Sequence, residues 1–126
     1  MTSSQLATVL SFVLATGTAA AGPGHDLESR HGGIVQEVKD ITYELVACAD
    51  RLVLHVDDHG KPVSTAGASG RVTVLVGART IQTELVPAGD NRLETKSALA
   101  VGPGAKVVAV VGLPGRPVAT MRFALK

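Results

Sequence analysis

The sequence predicts an all-β domain, an immunoglobulin-like β-sandwich of about seven or eight short strands preceded by a signal peptide. Three observations predict it. Apolar residues recur at every second position, the spacing of a strand with one buried face. Clusters of turn-forming residues interrupt that alternation at short intervals. Beyond the N-terminal stretch, no window sustains the 3.6-residue period of an amphipathic helix. Composition agrees, since 14 glycines and 6 prolines suit tight turns better than helices. A chain of 126 residues has room for one domain.

The elements follow in order. Residues 1–21 contain no Lys, Arg, Asp or Glu, and residues 6–15 form an apolar stretch. That stretch is short for a bilayer span, which needs about 20 apolar residues. Ala19 and Ala21 stand at the −3 and −1 positions of an Ala-x-Ala cleavage pattern, which makes Gly22 the new first residue. Export to the periplasm follows, with no membrane span after cleavage. Residues 22–30 form a polar, Gly/Pro-containing lead-in expected to be mobile, and residues 31–126 form the β domain. Within it Ile41, Tyr43, Leu45 and Ala47 alternate with Thr42, Glu44, Val46 and Cys48. Leu52, Leu54 and Val56 alternate with Val53, His55 and Asp57, and Val72, Val74 and Val76 repeat the spacing. Ile81, Thr83 and Leu85, the run 107–111 and the stretch 118–125 complete the set. Turn signals separate them at Lys39-Asp40, Ala49-Asp50, Asp58-His59-Gly60, Gly77-Ala78, Ala88-Gly89-Asp90-Asn91, Gly102-Pro103-Gly104 and Pro114-Gly115.

Hairpin geometry sharpens one region. A two-residue loop at Ala49-Asp50 sets Cys48 opposite Arg51, Val46 opposite Val53, Glu44 opposite His55 and Thr42 opposite Asp57. Ala47/Leu52, Leu45/Leu54 and Tyr43/Val56 then share the core-facing side, so apolar residues meet apolar residues. A similar loop at Lys39-Asp40 pairs Val38 with Ile41 and Ile34 with Leu45. Continued outward, it sets His31 opposite Cys48 and Val35 opposite Glu44 on the outer face.

Composition excludes several functions. Twelve Lys and Arg balance eleven Asp and Glu, and only three aromatics occur. Neither a basic excess nor a base-stacking platform is present, so nucleic acid is not an expected partner. A single cysteine, Cys48, excludes an intrachain disulfide framework and any multi-cysteine zinc site. It stays open as a soft metal ligand, an intermolecular partner or a small hydrophobe. Catalysis finds no constellation. No serine lies in a Gly-x-Ser-x-Gly turn, and Asp57 and Asp58 point apart on a strand. Gly67-Ala68-Ser69-Gly70 and Gly102-Pro103-Gly104-Ala105-Lys106 lack the spacing and the following helix of phosphate loops and serve as strand connections.

What remains is a set of donors. Four histidines occur, at 25, 31, 55 and 59. The outer face of the first strands gathers His31, Cys48, Glu44, His55 and Asp57, groups that suit zinc or copper. A solvated polar face is the alternative. Cleavage before Gly22 makes His25 the fourth residue, which removes it from square-planar copper(II) chelation at a free amine.

The segments His31-Gly32-Gly33-Ile34-Val35, Tyr43-Glu44-Leu45-Val46, Val56-Asp57-Asp58-His59-Gly60-Lys61-Pro62-Val63 and Gly67-Ala68 resemble a known domain. It is the small periplasmic domain near the N-terminus of heavy-metal efflux adaptor subunits of the cobalt–zinc–cadmium and copper–silver type, also found in small stand-alone secreted bacterial proteins. Pro87-Ala88-Gly89-Asp90-Asn91-Arg92-Leu93 and Gly104-Ala105-Lys106-Val107-Val108 extend the likeness, which spans residues 31–126. The resemblance implies a periplasmic β-sandwich, a link to metal resistance, and efflux-system components as partners. It carries His31 and Glu44 over as metal ligands, and hairpin register adds His55. Relatives often hold a histidine two before that glutamate, where this chain has Thr42. The resulting expectation is a non-enzymatic periplasmic protein that binds or buffers zinc or copper. Its rival is a metal-free structural or protein-interaction module that docks a partner on a strand edge. A secreted hydrolase is the third class.

Overall fold

A computed structural model describes residues 28–126. The expected signal peptide at 1–21, the expected lead-in up to residue 27 and the reading of His25 lie outside the described residues. Those residues form nine strands and no helix: β1 (Ile34–Val38), β2 (Ile41–Ala47), β3 (Leu52–Asp58), β4 (Lys61–Pro62), β5 (Ser69–Val76), β6 (Arg79–Pro87), β7 (Arg92–Thr95), β8 (Lys106–Gly112) and β9 (Ala119–Ala124). The all-β expectation therefore holds, and among the described residues no helix is long and apolar enough to cross a membrane.

The sandwich gives way to a different arrangement. A sandwich needs two separately hydrogen-bonded sheets. Here one antiparallel sheet runs β1-β2-β3-β7-β6-β5-β8-β9, with β4 attached to β3. It curls until β9 returns beside β1, giving a nearly closed, barrel-like sheet. The short strand β7 makes the difference. It pairs with β3 through Val53↔Glu94 to His55↔Arg92 and with β6 through Leu85↔Thr95 to Pro87↔Leu93, welding the two halves into one ladder.

Alternation fills the interior. Tyr43, Leu45, Leu54, Val56, Val72, Val74, Leu93, Val107, Val111 and Phe123 are buried in one cluster. Each fully buried Val or Leu contributes roughly 1.5–3 kcal/mol relative to exposure. The β2–β3 register is the expected one, from Thr42↔Asp57 through Glu44↔His55 to Ala47↔Leu52. The amide of Cys48 donates to the Arg51 carbonyl at 2.8 Å to close the hairpin. Between β1 and β2, Lys39 (φ 51°) and Asp40 (φ 68°) both take the left-handed conformation of a two-residue hairpin turn. Val38↔Ile41 and Ile34↔Leu45 pair as expected, but the ladder ends at Ile34. His31 therefore never reaches Cys48.

Candidate functional site

What stops the ladder is a carboxylate. Glu44 lies on the outer face of β2, yet only 3% of it is exposed. The segment preceding β1 folds back across it. The amide of Arg30 donates to Glu44 Oε1 at 2.9 Å. Oε2 accepts three more bonds, from Ser29 Oγ at 2.9 Å and from the amides of His31 and Gly33, each at 2.8 Å. Amide donors on an ionised acceptor make strong hydrogen bonds, and converging on one group they outweigh a single sheet pair. From Ser29 onward, then, the expected free lead-in is tied down. Gly33 is required for the approach: a Cβ there would collide with the Leu45 carbonyl and come within 2.9 Å of Val46 Cγ2.

The anchored segment carries His31 onto β3. Its ring stacks on that of His55, with centroids 3.7 Å apart and planes 9° from parallel. His31 is exposed and His55 half-buried. Burial of the Glu44 carboxyl disfavours its charge, but the amides of Arg30, Gly33 and His31 and the Ser29 hydroxyl outweigh that and hold its pKa below the ordinary value. Burial, reinforced by His31 and Arg92 and opposed by Glu44 and Asp57, lowers the His55 pKa and favours the neutral imidazole.

Of the three expected ligands, the fold brings all three to one face but in unequal states. His31 and His55 touch. Both oxygens of Glu44 are occupied by donors from its own chain. An imidazole binds a metal through a lone pair in the ring plane, at about 2.0–2.1 Å for zinc. In a parallel stack those lone pairs run side by side, so a shared ion requires one ring to turn. Among the described residues, no group of three or more His, Cys, Asp or Glu side chains is arranged to hold a metal ion. Cys48, half-buried, sits at the far end of the hairpin. The remaining described histidine lies at the opposite end of β3, where His59 Nδ1 meets Asp58 Oδ1 at 2.6 Å and Arg116 donates to Asp58 Oδ2 at 3.2 Å.

The other acidic candidates are likewise committed. Asp57 is buried and accepts a 3.2 Å hydrogen bond from Asn91 Nδ2, while Asp58 points away to His59 and Arg116. A groove of about 590 Å³ opens where β1 nears β9, lined by Gly33, Ile34, Val101 and Leu125 among others, with Lys126 as its charged group. Neither histidine lines it, and it holds no acid–base couple. Sequence reasoning missed Ser29, the amides of Arg30, His31 and Gly33, and Asn91. The paired glycines ahead of β1 were the one signal that backbone must pass close to backbone.

The class defined so far is a barrel-like all-β protein in which residues 29–33, just ahead of β1, are pinned across the outer face. No protein-family model, curated protein or solved structure matches the chain. The likeness to efflux adaptor domains therefore rests on the quoted segments alone.

Proposed function

We propose that this chain is a non-enzymatic, periplasmic protein that binds a transition metal, zinc or copper, through the imidazoles of His31 and His55, in a role linked to heavy-metal efflux. The observation that supports it is the contact of two histidines 24 positions apart in sequence, at 3.7 Å on an accessible face. Neutral imidazole is the metal-binding form, and the lowered His55 pKa keeps it available. Glu44 acts in this reading as a positioning residue rather than a ligand. It fixes the main chain of His31, and β3 fixes that of His55, so only side-chain rotation separates the stack from a two-imidazole grip. The third donor would be water or a partner's side chain.

Native mass spectrometry with zinc, copper(I) and copper(II) added in turn tests this. One bound equivalent is expected, and His31→Ala or His55→Ala should weaken binding tenfold or more, roughly 1.4 kcal/mol. Parent and variants binding alike, or no binding at micromolar metal, would remove the reading. The metal-free interaction module would then stand, a reading favoured by the occupied Glu44 oxygens and the parallel rings.

A further inference from the structure

The half of the sheet away from the histidines is built differently. On β5, Arg71, Thr73 and Leu75 face outward between the buried Val72 and Val74. Register extends these into three rows across β8 and β9: Arg71, Val110 and Thr120; Thr73, Val108 and Arg122; Leu75, Lys106 and Ala124. Not one Asp or Glu occurs on β5, β8 or β9. Arg71, Arg79, Lys106 and Arg122 are exposed, and among the described residues none of them makes an ion pair. Aliphatic side chains lie between these cations. Leu75 is 39%, Val76 40% and Val110 37% exposed, and Leu75, Lys106, Val108 and Arg122 line one shallow groove.

The β5–β6 hairpin ends this face with Val76-Gly77-Ala78, a tip without a polar side chain. The antiparallel order sets the β1–β2, β3–β4, β6–β7 and β8–β9 turns at the other end of the barrel, where Asp40, Asp58 and Asp90 stand with Lys39 and Arg116, and it sets the β2–β3 turn, with Asp50 and Arg51, at the same end as the tip. The tip, with Arg79 next to it on β6 and Lys106 beside Leu75 on β8, is thus the apolar end of this cationic face.

We propose that this face docks on an anionic lipid surface, with the β5–β6 tip entering the headgroup layer and Arg79, Lys106 and Arg122 meeting lipid phosphates. Charge complementarity sets the sign of the partner, and the apolar tip sets the orientation by entering it. A bilayer interface accepts an apolar tip without demanding hydrogen-bond partners from it. Nucleic acid fits less well: both described aromatics, Tyr43 and Phe123, are buried, which leaves no platform for base stacking.

Sedimentation of the full chain with vesicles tests the proposal. One set is phosphatidylcholine, the other phosphatidylcholine and phosphatidylglycerol in equal parts. The parent should bind the anionic vesicles at least tenfold more tightly, and added salt should weaken that preference. The double variant Lys106→Glu/Arg122→Glu should lose the preference while its circular dichroism stays unchanged, since both side chains are exposed. The variant Val76→Trp should shift its emission to the blue on anionic vesicles only. Equal binding to both vesicle types, or a charge-reversed variant that binds like the parent, would overturn the proposal. Polyglutamate or duplex DNA binding as tightly as the anionic vesicles would also overturn it, in favour of a general polyanion or nucleic-acid surface.

Discussion

The two outer faces of the barrel treat their polar groups in opposite ways. On β2 and β3 the chain covers its own carboxylate. Four donors from residues 29–33 converge on Glu44, Asn91 serves Asp57, and two histidines stack. On β5, β8 and β9 the cations reach into solvent beside exposed aliphatics. A polar group satisfied internally becomes part of the structure, because removing one partner strands the others. A polar group left in water contributes little to stability and remains available to a partner. The difference separates residues that build this protein from residues free to act, and Glu44 belongs to the first kind.

The largest expected effect is on the anchor itself. Glu44→Ala strands the amides of Arg30, His31 and Gly33 beneath the segment they hold, and should lower stability by about 2–4 kcal/mol. Urea unfolding measures it. A loss below about 0.5 kcal/mol, the range of ordinary surface substitutions, would erase the contrast between the two faces.

Acid should release the same anchor. The folded pKa of Glu44 lies below its ordinary 4.5, so folded chain holds the proton less readily than unfolded chain. The sign follows: this stabilisation is complete above the unfolded value and disappears as pH falls through the lower folded value. Unfolding measured from pH 7 downward should show that slope in the parent. In Glu44→Gln it should be shallower, and identical slopes would mean that Glu44 does not carry the effect.

Next in size is the close approach. Gly33→Ala places a methyl group against the Leu45 carbonyl and should cost about 1–3 kcal/mol. Gly32, at φ 75° with open space around it, meets only the left-handed penalty, and Gly32→Ala should cost about 1 kcal/mol. Thermal unfolding of the pair ranks them, and a reversed order would place the strain in the turn rather than in the contact.

The smallest effects sharpen the comparison from the other side. Lys106→Ala and Arg122→Ala should change stability by no more than about 0.5 kcal/mol, as should His31→Ala, whose main-chain bond to Glu44 survives truncation of the ring. If any of the three unfolded the chain at lower urea by a clear margin, its side chain would belong to the structure after all.

The sequence by itself determined the strand class and the β1–β2–β3 pairing. Strand period is two, so a one-residue slip would turn Leu45, Leu54 and Val56 outward, and parity together with the two-residue turns locates each partner. The outward position of Glu44 beside His55 was legible for the same reason. Closure of the sheet was not. It depends on Arg92–Thr95, where Leu93 is the lone aliphatic and no alternating run marks a strand, and on β9 coming back to β1 from the far end of the chain. The fate of Glu44 was hidden as well, because its partners are mainly backbone amides, which every residue but proline carries and which no side-chain pattern reveals. Only the tertiary path of residues 29–33 aims them at one carboxylate and brings His31 to His55 instead of Cys48. Local parity is written along a strand, whereas barrel closure and amide convergence arise only where distant segments meet.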